Sequence, residues 1–189
     1  MEIKDIFYEM PIIETPRAQL RKMNAADAAD MFEYSSNREV TKYLSYDHNS
    51  IDEVETYIQK KTELYALGEC MIWGIEFKEN HKYIGACGFT HWDTENHSAE
   101  IAYTLNQSYW GRGIMNEVVG ELIQFGFEKM NLNRIEARCW CENNKSVRIM
   151  EKNNMKFEGI IREQAYIKGE YRDLKMYSIL KREYEEGKI

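Results

Sequence analysis

The stretch Ser108-Tyr109-Trp110-Gly111-Arg112-Gly113-Ile114-Met115-Asn116-Glu117-Val118 puts two glycines around an arginine, directly before an apolar run. Glycine lets backbone amides approach an anion closely, and a helix N-terminus adds partial positive charge. With the strand-like Glu-Ile-Ala-Tyr-Thr-Leu run before it, the stretch has the outline of a strand–loop–helix phosphate cradle. Two familiar cradles fail here. A P-loop needs Lys and then Ser or Thr after its last glycine, and Ile114-Met115 stand there instead. A dinucleotide fingerprint needs a third small residue where Asn116 stands, and a repeated βαβ half that the chain lacks. A nicotinamide-dependent reductase is therefore a remote reading.

Other reactive side chains offer less. His91 ends a strand-like segment and could serve as a base, although a strand-end histidine is more often simply solvated. Cys141 could carry an acyl group, but nothing flanking it supplies an activating base. Cys139 and Cys141 lack zinc-ligand spacing, so no metal is expected. The four cysteines, Cys70, Cys87, Cys139 and Cys141, all sit in segments that read as strands. Buried free thiols of a reducing cytoplasm are expected.

The elements that must position these residues follow from periodicity. Glu14–Met23 reads as a first strand. A short helix follows with Asn24 as cap and Ala28, Met31 and Phe32 on its apolar side. A second helix begins at Ser50, which has capping-box spacing to Glu53. Ile51, Val54, Ile58 and Tyr65 share its inner face, and Gly68 stops it. The period then changes to that of strands: Cys70–Phe77 and Lys82–Trp92 form a hairpin, and His97–Gln107 is the third strand. Met115–Met130 is a helix with Val118, Val119, Leu122, Ile123 and Phe127 buried and Glu117, Glu121 and Glu128 facing water. A strand over Asn133–Trp140, a helix from Asn144 and a last hairpin turning near Lys168-Gly169 complete the order. Helices inserted into a mixed, largely antiparallel sheet make an α+β fold of one domain.

At 189 residues, 43 % apolar and 30 % charged, the chain has the composition of a globular protein. A net charge of −7 without a basic run argues against a nucleic-acid binder. The start carries early acids rather than a leader's apolar core, and no stretch is long enough to span a bilayer. Neither nucleic acid nor membrane is an expected partner.

A third phosphate cradle fits well. Tyr109-Trp110-Gly111-Arg112-Gly113-Ile114-Met115-Asn116-Glu117-Val118 resembles the acyl-CoA turn of the GNAT N-acetyltransferases. It is closest to the form seen in the ribosomal-protein N-terminal (RimJ/RimL-like) acetyltransferases. Glu14–Arg21 resembles that branch's opening strand, Tyr83–Phe89 its third strand, and Ala99–Leu105 the strand lining its acyl site. Glu142–Gly159 is similar to its Asn-x-x-Ser…Glu-Lys-x-Gly-Phe-x-x-Glu-Gly signature. The match runs in order from about Glu14 to Leu180. Met115 replaces a usually small residue and puts bulk where phosphate approaches. Asn154 and Met155 replace Gly-Phe; Asn tolerates a left-handed helix end and Met fills cores.

The resemblance implies an α+β GNAT fold over 14–182, with an N-terminal edge segment at 1–13 and a C-terminal tail at 183–189. It implies a cytoplasmic acetyl-CoA-dependent N-acetyltransferase working by direct transfer, and dimers are common among its members. The pantetheine and thioester would be held by Tyr103, Thr104 and Leu105, and the pyrophosphate by Gly111, Arg112, Gly113, Ile114, Met115 and Asn116. Asn143 would contact pantetheine, and Ser146 would donate to the thiol. A tyrosine acid four positions later, found in many relatives, is here Met150. Both Asn143 and Ser146 also make good helix caps. Glu100 corresponds to an acid common in this branch and is the preferred base, with His91 the alternative. Tyr43, His91 and Trp92 are the expected acceptor-side residues. The acceptor is a primary amine: a protein N-terminus by resemblance, with a polyamine, an aminoglycoside or a small metabolite also open. A fold kept for binding CoA without catalysis is the competing class.

Overall fold

The computed structural model describes residues 6–187, so the outermost parts of the expected edge segment and tail lie outside the described residues. The chain divides into two compact units. One runs to Gly88 and includes Tyr103–Glu121; the other comprises Phe89–Ala102 and the chain from Leu122 onwards.

In the first unit, the expected single opening strand is two short ones, β1 (Ile13–Glu14) and β2 (Ala18–Arg21). They pair antiparallel, with Ile13 opposite Leu20. Pro16 forces this break, because it has no N–H to offer a continuous ladder. Thr15 closes the turn: its hydroxyl oxygen accepts from the Ala18 amide at 2.9 Å. A 3₁₀ turn at Ala25–Asp27 is capped reciprocally by Asn24 and Asp27 and leads into α1 (Ala28–Ser35). Met31 and Tyr34 are buried on α1. A four-residue helix, α2 (Arg38–Thr41), follows and is too short to show a period.

Helix α3 (Ile51–Ala66) starts with Ser50 accepting from the Glu53 amide at 3.3 Å. The Glu53 carboxylate turns back to the Asn49 amide at 2.8 Å, one residue before the expected partner. Val54, Ile58 and Tyr65 are buried as expected, but Ile51 lies at the solvent edge, 40 % exposed. Strands β3 (Ile72–Phe77) and β4 (Lys82–Asp93) form the expected hairpin. Strand β5 (Ser98–Leu105) follows, and its last residues belong to this unit.

Helix α4 (Ile114–Glu128) begins in the first unit and ends in the second. Its stripe of Val118, Val119, Leu122, Ile123 and Phe127 is buried as the pattern required. Within the second unit, β5 pairs in parallel with β6 (Arg134–Trp140) over Ser98–Glu100. β6 in turn pairs antiparallel with β8 (Glu170–Leu180), and β8 with β7 (Lys156–Ile167). The strand order is β1-β2-β3-β4-β5-β6-β8-β7, a mixed, mostly antiparallel sheet of eight strands. Helix α5 (Asn144–Lys152) precedes the last hairpin, and α6 (Lys181–Glu186) forms where only a tail was expected.

The end of α5 accounts for the Asn154-Met155 departure. Asn154 adopts φ 60°. Its amide bonds the Glu151 carbonyl and that of Met155 bonds the Met150 carbonyl, both at 3.0 Å. This is a Schellman ending, and Met150 and Met155 are both buried beneath it. Asn supplies the left-handed residue and Met the apolar contact.

Two of the cysteines depart from expectation. Cys87 lies in β4 and Cys139 in β6, but Cys70 and Cys141 sit in loop and turn. Three are buried free thiols and Cys141 is half-buried. Among the described residues no helix is long and apolar enough to cross a membrane.

Candidate active site

The glycine turn is built in the first unit. Asn106, 3 % exposed, anchors the end of β5. Its amide donates to the Ile84 carbonyl at 2.7 Å, and its side chain donates to Glu33 at 2.9 Å. Lys82 lies 2.6 Å from Glu33, and with Asn106 it holds that carboxyl below its ordinary pKa. Tyr109 is buried edge-on against Phe77 at 5.2 Å, and Trp110 donates from Nε1 to the Leu105 carbonyl at 2.8 Å. These two aromatics pin the entry to the turn.

Gly111 and Gly113 then adopt φ 74° and 82°, values that L side chains rarely take. A Cβ at Gly111 would meet nothing within 4 Å, so its backbone stands in open space. The Gly113 carbonyl accepts from the amides of Asn116 at 3.1 Å and Glu117 at 3.3 Å. The Asn116 amide is therefore already used. The amides just before it belong to the first turn, which an α-helix leaves without intrahelical partners.

Met115 does not crowd this surface. Its side chain is 5 % exposed and packs inward, so the bulk expected beside a phosphate lies in the core. The Arg112 guanidinium stacks on the Tyr109 ring at 5.1 Å.

Arg17, which the motif did not reveal, braces the turn. Its Nε donates to Glu117 at 2.9 Å and its Nη1 donates to the Arg112 carbonyl. Glu117 was expected to face water; instead it is paired, with its side chain 23 % exposed. The turn therefore offers glycine backbone, helix-terminal amides and two guanidinium groups, a donor set that fits a pyrophosphate.

The second unit holds Glu100, Asn143, Ser146, His91 and Trp92, while Tyr43 and Tyr103 to Leu105 belong to the first. Glu100 on β5 and Arg138 on β6 form a two-pronged ion pair, with Nε to Oε1 at 2.9 Å and Nη2 to Oε2. The Glu100 side chain is 17 % exposed. Beside it, Arg134 reaches Glu136 and Glu158, each at 2.6 Å. Arg134 and the Ser178 hydroxyl hold the Glu158 carboxyl down at about 2.

Asn143 caps α5: its side-chain oxygen accepts from the Ser146 amide at 3.2 Å. Ser146 is half-buried and its hydroxyl bonds Cys139. Burial pushes the Cys139 thiol up to about 11, so it stays protonated and is no nucleophile at neutral pH. Met150 is fully buried and offers no proton.

His91 is exposed, Trp92 half-buried, and Tyr43 half-buried beside Lys42, whose ammonium lies 5.2 Å from its ring centre. Tyr103 and Thr104 are half-buried and Leu105 is buried. Among the described residues no group of three His, Cys, Asp or Glu side chains is placed to hold a metal ion.

The chain is similar to known proteins in sequence and in fold. Residues 17–156 match the Acetyltransferase (GNAT) domain family. The uncharacterized N-acetyltransferase p20 of Bacillus licheniformis is 39 % identical over 176 residues, covering 93 % of this chain and 99 % of that protein. The ribosomal-protein-serine acetyltransferase of Escherichia coli K12 is 26 % identical over 129 residues, 68 % of this chain and 71 % of that one. The structure of a GNAT-family acetyltransferase from Bacillus anthracis superposes with a TM-score of 0.81 at 26 % identity, covering 91 % of this chain and 99 % of that one. Structures of this fold include complexes with CoA and acetyl-CoA. The chain belongs to the GNAT acetyltransferase family and is an acetyl-CoA-dependent N-acetyltransferase.

Proposed function

We propose that the protein transfers an acetyl group directly to a primary amine, with a protein N-terminus as the favoured acceptor. The observation that carries this reading is the braced, glycine-shaped turn at Gly111–Gly113 opening α4. The similarity to a ribosomal-protein-serine acetyltransferase supports the choice of acceptor. Acetyl-CoA supplies an activated acetyl thioester.

The turn binds pyrophosphate through the backbone of Arg112 to Met115, and Tyr103 to Leu105 present backbone to the pantetheine. The short parallel ladder of Ser98–Glu100 with Arg134–Glu136 supports that role, since the rest of β5 continues beyond it. Asn143 orients the start of α5, and the Ser146 Oγ–H donates to the departing sulfur. Glu100, held in one orientation by Arg138, takes the amine proton through water. An α-amine, with a pKa of about 7.7–8.0, is already partly neutral at pH 7 and needs only a modest base. Use of acetyl-CoA supports a cytoplasmic location.

Thiol release from acetyl-CoA over a panel of amines tests the proposal. Release is expected with peptides bearing a free N-terminus, and none when that N-terminus is blocked. CoA binding without turnover on any amine would leave a CoA-binding protein rather than an enzyme.

A further inference from the structure

In the first unit, three aromatic side chains converge between α1 and α3. The ring centres of Tyr46 and His48 lie 5.5 Å apart, those of His48 and Tyr57 5.7 Å, and those of Tyr46 and Tyr57 6.3 Å. His48 is only 9 % exposed, yet its Nδ1 is buried without a hydrogen-bond partner. The His48 amide donates to the Ser35 carbonyl at 3.1 Å, so the two residues adjoin. The Ser35 hydroxyl, fully buried, is unpartnered as well. Leaving a buried polar atom without a partner is costly, so two in adjoining residues indicate a polar group that belongs with them.

The surroundings define that group. The faces of Tyr rings are electron-rich and attract cations. The Tyr57 ring already receives one ammonium, that of Lys61 at 5.3 Å from its centre. Burial lowers the His48 pKa while the Asp47 and Glu53 carboxylates oppose that shift, so negative charge faces the cluster. Burial holds the Tyr46 phenol neutral by pushing it up to about 12. Phenol faces, an imidazole and nearby carboxylates suit an N–H-bearing cation and disfavour an anion. Tyr46 and Tyr57 are only half-buried, so part of each residue meets solvent.

We propose that Tyr46, His48 and Tyr57 form a recognition site for an ammonium group of the acceptor, donating to His48 Nδ1 and resting on the two phenol faces. The inference rests on the acceptor reading above and specifies that the amine is captured in its charged form.

The test uses the whole protein without CoA, titrated with n-propylammonium and, as a neutral isostere, 1-propanol. The side-chain resonances of the four histidines are followed by NMR. A saturable shift at His48 with n-propylammonium is expected, and none with 1-propanol. Tyr57→Leu is expected to weaken binding roughly 3- to 10-fold. Should that variant fail to fold, His48→Gln takes its place, read as a rise in the KM of a peptide amine at unchanged CoA affinity. No His48 response, or an equal response to 1-propanol, overturns the site. A His48 response in a protein that transfers no acetyl group sinks only the catalytic reading. Acetyl transfer without a His48 response sinks only this one.

Discussion

Arg17 and Glu117 lie 100 positions apart in sequence and are joined by a guanidinium–carboxylate contact of 2.7 Å. The same guanidinium donates to the carbonyl of Arg112, inside the glycine turn. A carboxylate in the first turn of a helix is favoured by the helix dipole but would repel a bound phosphate. Arg17 neutralises that charge while bracing the loop that must stay open.

Replacing Arg17 with Met is therefore expected to weaken CoA binding by exposing the charge of Glu117. The two side chains are 39 % and 23 % exposed. A pair this solvated contributes about 1 kcal/mol, or roughly fivefold in affinity. The double variant Arg17→Met/Glu117→Gln is expected to recover most of the loss in a calorimetric titration with CoA. A double variant as weak as the single one would show that Arg17 does not act through Glu117.

The two glycines of the turn should respond differently to alanine. Both sit at positive φ, so each substitution strains the backbone by about 1 kcal/mol and lowers Tm by about 2–4 °C. At Gly111 the new methyl meets nothing within 4 Å, whereas at Gly113 it lies 3.0 Å from Nη2 of Arg17. Gly113→Ala is therefore expected to lose CoA affinity as well as stability. Gly111→Ala is expected to lose mainly stability. Equal affinity losses would mean that Gly111 itself approaches the phosphate.

Stability should carry a signature of Glu158 at acid pH. Its carboxyl is held at about 2, first by the Arg134 hydrogen bond and then by the Ser178 hydroxyl, against an ordinary value of 4.5. A depressed carboxyl stabilises the fold fully above its unfolded pKa, and that stability is lost as pH falls toward the folded value. The side chain is 41 % exposed, so screening leaves a contribution of about 1 kcal/mol. Glu158→Gln is expected to lower Tm at pH 7 and to flatten the decline between pH 4.5 and 2. An unchanged acid limb in thermal melts would rule this network out as a source of acid sensitivity.

Much of this was legible because it is local. The stripe Val118–Phe127, the hairpin at Lys82 and the Asn24 cap depend on residues a few positions apart, whose spacing the sequence displays. Glycine at 111 and 113 announces its own backbone need. What stayed hidden is the choice of partners across the sheet. Nothing near Glu100 in sequence names Arg138, because the pair exists only once β5 lies beside β6. Arg17 was hidden for the same reason, and Glu117 was misread because a glutamate on a helix is usually solvated. Met115 was misjudged by side-chain size alone; its direction depends on where the helix starts. The helices Arg38–Thr41 and Lys181–Glu186 are too short to show a period.

Ser146 can be separated from its neighbour Asn143 by comparing turnover with binding. The Asn143 side chain accepts from the Ser146 amide, so Asn143→Ala removes a cap and should cost about 1 kcal/mol of stability. The Ser146 hydroxyl makes no contribution to that cap. Ser146→Ala gives up only the hydroxyl's bond to Cys139, so it should lower Tm less than Asn143→Ala and act mainly on the chemical step. A thiolate is a far better leaving group than an alkoxide or an amine anion and departs without much help, so the loss in kcat should be about tenfold, below the usual range for proton transfer. The CoA dissociation constant should move less than kcat does. Equal losses in kcat and affinity would make Ser146 a structural residue of α5 and return the search for a proton donor to a bound water.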